Sequence, residues 1–235
     1  MWKLMKLEWK KNKTSKYIVS AIIIIALIGL FMFAQCYLGI ANDESTGVPD
    51  AVPGMETMAV QIELFTNLCF LIYTAAMMST FIITPYKNNT MNLMFCYPIK
   101  RKKIVLSQML AVWLFSFCAL LLGKLLIYTL LYTTAGNMKA YFLLGYNMAS
   151  VSFYLQIILK SIITVSLGFI ALFVGKGMKS SKAAIITSFL LFIVMNGSVG
   201  DFTLRDNSIV PVLLISASLI CAYLSVHKLE VKDLK

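Results

Sequence analysis

Residues Tyr17 to Ile40 form an unbroken apolar stretch of 24 residues. As an α-helix it is about 36 Å long at 1.5 Å per residue. The hydrocarbon core of a bilayer is about 30 Å thick, so such a segment crosses it with some tilt. A secretory leader has a shorter apolar region and a small-residue cleavage site, and the stretch therefore reads as a retained first span. Five further apolar runs follow, at about Ile62–Thr84, Gln108–Tyr132, Val151–Val174, Ala183–Val199 and Ile209–Val226. Each is expected to be helical, because lipid offers no hydrogen-bond partner to backbone N–H and C=O groups. The expected fold is an all-α membrane protein with six transmembrane helices over 17–226, preceded by a basic segment at 1–16 and followed by a tail at 227–235. The fifth run is the shortest, and Asn196-Gly197-Ser198 near its end predicts fraying or a turn there.

Composition agrees. The chain is 60% hydrophobic and 13% charged, against roughly 45–50% and about 25% in soluble domains. A water-soluble globular enzyme, a disordered tail and a disulfide-knotted module are excluded on that ground. The net charge of +11 would suggest a nucleic-acid partner in a soluble protein, but here it follows membrane topology. With the N-terminus inside, the segments 1–16, 85–107, 175–182 and 227–235 hold 17 of the 21 Lys and Arg residues. The outside segments 41–61, 133–150 and 200–208 hold two. The rule that cytoplasmic loops carry the basic residues therefore places both termini in the cytoplasm of a cell whose plasma membrane holds the protein. The remaining attraction is to anionic membrane lipid, and no nucleic-acid partner is expected.

Within 1–16, Trp2, Met5 and Trp9 share one side at helical spacing, whereas Leu4 and Leu7 fall on the other. Two readings stay open: an interfacial helix lying on the membrane, or a positive flank that only sets orientation. Cys36, Cys69, Cys96, Cys118 and Cys221 have no paired spacing and read as packing residues. With His227 the sole histidine, a histidine-based metal site within the chain is not expected. Gly175-Lys176-Gly177-Met178-Lys179-Ser180 lacks the first glycine of a phosphate-gripping loop and reads as a short basic turn. No catalytic residue, cofactor or metal is assigned to the chain.

The loop after the second run is the most informative. Met91, Met94 and Phe95 stand at i, i+3 and i+4 and so share a helical face. Thr90 can cap the start of that helix and Pro98 ends it. Pro98-Ile99-Lys100-Arg101-Lys102-Lys103-Ile104 then supplies a basic cluster. A soft Met- and aromatic-rich face suits docking of another protein, and equally suits a helix lying on the inner leaflet.

This loop resembles the cytoplasmic loop of type-2 ABC transporter permeases. Those proteins carry Glu-aromatic-x-x-Gly-Thr before the segment and Pro-Ile-Ser-Arg after it. Tyr86, Thr90, Pro98, Ile99 and Arg101 match; Pro85, Asn89, Lys100 and Gln108 depart from the pattern. The tail Leu229-Glu230-Val231-Lys232-Asp233-Leu234 resembles the family's ending. The resemblance implies a permease that works as a pair, homo- or heterodimeric, each bound to a cytoplasmic ABC ATPase that holds ATP and Mg. It implies that Thr90–Pro98 is the coupling helix, with Thr90, Met91, Leu93, Met94, Phe95, Tyr97, Pro98 and Arg101 at the ATPase. It further implies a re-entrant helical segment within Asn196–Ser208, and favours export of an amphipathic substrate such as a peptide antibiotic. An ATP-independent channel or membrane scaffold is the alternative. An intramembrane enzyme is disfavoured, because no Asp or Glu is expected well inside a span; Glu63 is expected at the edge of the second.

Two lysines interrupt the apolar runs, Lys124 in the third and Lys160 in the fourth. Such residues usually face a bundle interior or a watery cavity, and both are candidates for a substrate route. Snorkelling to the membrane surface is the structural alternative; it suits Lys124 better than Lys160. A start of the fourth span within 140–150 is a further alternative that would move Lys160 to another layer.

Overall fold

The computed structural model describes residues 2–12, 14–37, 58–87, 101–137, 147–199, 202–203 and 209–231. In chain order these form α1 (Trp2–Lys11), α2 (Ser15–Tyr37), α3 (Met58–Met78), a π-helical turn (Ser79–Ile83), α4 (Thr84–Lys87), α5 (Arg101–Asn137), α6 (Val151–Gly177), α7 (Ser181–Asn196), β1 (Ser198–Val199), β2 (Phe202–Thr203) and α8 (Ile209–Val231). Among the described residues, four segments are long and apolar enough to cross a membrane: Ser15–Gln35, Met58–Ile83, Lys102–Thr134 and Val151–Gly177. The chain is thus a helical membrane protein. α7 has 16 residues, about 24 Å, which is short of a full hydrocarbon core.

α3 is the most enclosed of the four membrane-length segments and α2 the least. Tyr73 on α3 ties the two, donating its hydroxyl to the Tyr17 carbonyl at 2.7 Å and lying 3.2 Å from the Ser20 hydroxyl. Two apolar cores stack along the bundle. One joins Tyr73, Met78 and Phe81 to Val105, Met109, Phe169, Leu172 and Ala184. The other joins Ile28 and Met32 to Ile62, Ile127, Tyr128, Leu131 and Ile157.

In lipid, helices gain little hydrophobic energy by associating, so close backbone approach matters. Gly168 and Gly175 of α6 provide it. A Cβ at Gly168 would lie 2.8 Å from Thr74 Cγ2, and one at Gly175 would lie 2.7 Å from both Ala184 Cβ and Ile83 Cδ1. The Ile83 contact sits on the π turn, where the Thr84 N–H bonds to the Ser79 carbonyl five residues back. Pro85 follows at once. Proline has no N–H and its ring crowds the carbonyl four residues earlier, so the wider turn relieves a clash that would otherwise break the helix.

α6 ends in a Schellman turn. The Ser180 N–H bonds to the Gly175 carbonyl at 3.1 Å and the Lys179 N–H to that of Lys176 at 3.2 Å. Lys179 takes the left-handed conformation, φ 47°, where glycine is usual. The amides of 178–180 are therefore engaged within the turn, in keeping with the reading of this segment as a basic turn. Lys176 Nζ reaches across to the Ser225 carbonyl of α8 at 2.7 Å.

One expectation changes and one alternative falls away. α7 stops at Asn196 and the chain enters a two-residue antiparallel pair, Ser198 opposite Thr203 and Val199 opposite Phe202. The described residues between Gly197 and Thr203 are not helical, so a re-entrant helix does not occupy them; Gly197 is extended. α6 starts at Val151, with Ser150 as its extended N-cap residue, which removes the alternative of an earlier start. The third apolar run is also longer than its sequence bounds, since α5 covers 37 residues: the polar ends at Arg101–Lys103 and Thr133–Asn137 prolong the helix beyond any bilayer.

Candidate functional site: charges inside the helix bundle

Glu63 stands in the second turn of α3, Lys160 in the third turn of α6 and Lys124 in the middle of α5. Two contacts set α5 in place: the Tyr128 hydroxyl donates to the Ala59 carbonyl of α3 at 3.4 Å, and Gly123 packs closely against Ile25 of α2, with the Phe70 ring of α3 next to it. Lys124 lies between these contacts. It shares the buried face of α5 with Leu120, Tyr128 and Leu131, at spacings of three and four that stack side chains on a helix. It therefore meets α3 along the stretch that carries Glu63 and Asn67. Along their helices, Lys160 is about 14 Å from Val151 and Lys124 about 15 Å from Thr134, the ends of their apolar segments.

The Lys160 ammonium donates to Glu63 Oε2 at 2.5 Å, with side-chain exposures of 37% and 11%. Lys124 is 0% exposed and its Nζ has no hydrogen-bond partner, although it lies within electrostatic reach of Glu63 and Lys160. Nearby hydroxyls do not serve it. Thr66 donates to the Ile62 carbonyl at 2.6 Å and Thr164 to that of Lys160 at 2.9 Å, each turned onto its own helix as Thr commonly is in apolar surroundings. Tyr128 and Phe153 close this region edge to face, 5.0 Å between centroids.

These positions correct three expectations. Lys124 does not snorkel; it is sealed among α3, α5 and α6. Lys160 is the more exposed of the two and is paired. Glu63 is not an edge residue, because α3 begins at Met58, and a carboxylate therefore lies inside the bundle. The Glu63–Lys160 pair was out of reach of sequence reading, as the partners are 97 positions apart. The available hint was an acid four residues before Asn67 in an otherwise apolar run.

The other half of the bundle has a different character. α1 packs on the start of α5, with Met5 buried. Trp9 Nε1 donates to the Ala111 carbonyl at 3.1 Å and Gln108 Nε2 to Glu8 Oε1 at 3.2 Å. Trp2 stays exposed but stacks edge-on against Trp9 at 6.1 Å. Lys3, Lys6, Lys10 and Lys11 are exposed. α1 is thus a docked helix with a lysine face, and the Glu8–Gln108 contact was not anticipated. The π turn and the α6–α7 turn, with exposed Lys179 and Lys182, lie at this same end, joined through Ile83, Gly175 and Ala184.

In the chain, the segment expected to hold the coupling helix falls between α4, which ends at Lys87, and α5, which begins at Arg101. Thr90, Met91, Leu93, Met94, Phe95, Tyr97 and Pro98 lie outside the described residues, as does the side chain of Arg101.

Fold and charge distribution together define a multi-helix membrane protein with a basic end and a charged interior. No protein-family model matches the chain, and no solved structure matches it. It is similar to the uncharacterized protein YcbO of Bacillus subtilis (strain 168), 24% identical over 237 residues, covering 98% of this chain and 99% of that one.

Proposed function

We propose that the chain is the permease subunit of an ATP-driven ABC transporter, with six spans, both termini cytoplasmic and the plasma membrane as its site. In this reading it pairs with a second permease subunit, each seated on a separate ATPase. ATP binding draws the ATPases together, and the coupling segments pass that motion to the bundle, shifting it between inward- and outward-facing states. The cargo is an amphipathic molecule such as a peptide antibiotic, exported for protection of the cell.

The observation that carries the reading is the sequence order Tyr86, Thr90, Pro98, Ile99, Arg101, which falls between two membrane-length helices. A π turn at the root of that loop gives support, since such turns recur at functional positions. Lys124 and Lys160 are the route candidates: Lys124 is buried in the bundle and Lys160, part exposed, is paired with Glu63.

The test is co-purification. Met94→Asp with Phe95→Asp is expected to abolish recovery of an ATPase with the tagged chain from native membranes, while membrane insertion stays intact. Full recovery of the ATPase with the double variant contradicts the docking assignment.

A further inference from the structure

α1 is fixed to the bundle at the level where the membrane begins. The apolar part of α2, Ser15–Gln35, has 21 residues, about 32 Å of helix. It therefore matches a hydrocarbon core of about 30 Å from its first residue. α1 is tied to that start, because the Thr14 N–H and hydroxyl both donate to the Trp9 carbonyl, at 3.2 and 2.9 Å. The apolar part of α5, Lys102–Thr134, has 33 residues, about 50 Å. Centred on the core, it enters hydrocarbon about 10 Å from Lys102. That is the stretch Gln108–Ala111, which holds Glu8 and Trp9 of α1. Two helices thus put α1 at one depth, the boundary between headgroups and acyl chains. Trp2 and Trp9, in edge contact, are of the residue type that collects there.

The same contacts fix the roll of α1. Met5 is buried, Trp9 bonds to α5, and Glu8 turns to Gln108 and Lys11. Lys3, Lys6 and Lys10 therefore share the exposed side, at spacings of three and four. Leu7 stands exposed among them, and Trp2 is exposed at their flank. We propose that this face of α1 is a binding surface for anionic phospholipid. The three ammonium groups take headgroup phosphates, and Leu7 and Trp2 take the upper part of the acyl chains. The depth of α1 selects lipid over a soluble anion, and an apolar side chain among lysines is served by lipid and not by water. Each lysine at an anionic membrane surface strengthens association about fivefold. In the orientation proposed above, the leaflet concerned is the cytoplasmic one, which carries the anionic lipid of a cell. The binding itself needs neither that orientation nor an ATPase, so its failure and the failure of the permease reading are separate results.

The experiment measures tryptophan quenching in the full chain. Trp113→Phe leaves Trp2 and Trp9, both on α1, as the tryptophans. The protein is reconstituted into phosphatidylcholine bilayers in which a minor fraction of the lipid is phosphatidylglycerol or phosphatidylcholine brominated on its acyl chains. At about 0.1 M salt, brominated phosphatidylglycerol is expected to associate with α1 about fivefold or more strongly than brominated phosphatidylcholine. The preference falls at about 1 M salt, where charges act over only about 3 Å. Lys3→Gln, Lys6→Gln and Lys10→Gln together abolish it, whereas Lys3→Arg, Lys6→Arg and Lys10→Arg together keep it. Lys179→Gln with Lys182→Gln, at the same end of the bundle but off α1, also keeps it. Equal quenching by the two lipids, no quenching by either, or a preference undiminished in the triple Gln variant overturns the proposal. Equal quenching together with loss of ATPase recovery in the triple Gln variant would assign the lysines to an acidic protein surface instead, and overturns it too. Where the triple Gln variant does not insert, the lipid comparison and its salt dependence in the Trp113→Phe protein decide alone.

Discussion

The two halves of the bundle treat lysine in opposite ways. At the end built by α1, the π turn and the α6–α7 turn, lysines are numerous and stand in the open: Lys3, Lys6, Lys10, Lys179 and Lys182 are exposed. Around Ile62, Ile127 and Ile157 two lysines lie inside, one paired with Glu63 and one without a hydrogen-bond partner. Exposure separates lysines that keep their hydration from one that has lost it. An exposed lysine loses little hydration and is retained for its charge relative to the membrane. A buried one is unfavourable by several kcal/mol unless it is compensated, and the carboxylate within electrostatic reach of Lys124 is Glu63 of α3.

That contrast is open to disruption by mutation. The largest effect is expected for Glu63→Ala, which leaves both Lys160 and Lys124 uncompensated: a loss of about 3–5 kcal/mol, read as a fall in Tm in detergent. A change under 1 kcal/mol would mean that the interior lysines are balanced by other groups. Gly175→Val comes next. It forces side-chain atoms into Ala184 and Ile83, at a cost of about 1–3 kcal/mol, read as a fall in Tm. Trp9→Phe removes the indole donor to the Ala111 carbonyl and is expected to cost about 1 kcal/mol, seen first as faster proteolysis within α1. Lys179→Gly relieves a left-handed non-glycine residue and is expected to stabilise by up to about 1 kcal/mol. The smallest effect is Lys3, Lys6 and Lys10 together to Gln, within about 0.5 kcal/mol of neutral per site. A large loss of stability from that triple change would erase the distinction between the two ends.

The membrane helices were legible in the sequence because length and apolarity are properties of contiguous residues. The rotational setting of those helices was not. α5 is apolar on nearly every side, so nothing in its periodicity says that Lys124 turns inward with Leu120 and Tyr128 rather than outward. The Glu63–Lys160 pair depends on how α3 and α6 meet, through Thr74 against Gly168, and such a contact joins residues far apart in the chain. Glu63 was misplaced because the apolar run begins at Ile62, whereas the helix begins at Met58: Met58–Gln61 carries enough helix-forming character to start it earlier. The turn at Asn196–Ser198 was legible from its residue types, but the β1–β2 pair after it was not, since two paired residues leave no alternation to read.

The central claim is that the lysine-rich end, with the loop after α4, faces the cytoplasm, where an ATPase can reach it. Its most direct test uses Cys96, which lies in that loop. In a variant retaining Cys96 and with Cys36, Cys69, Cys118 and Cys221 replaced by Ser, a membrane-impermeant thiol reagent is predicted to label the protein only after the cells are permeabilised. Full labelling of Cys96 in intact cells would place the loop outside and contradict the account.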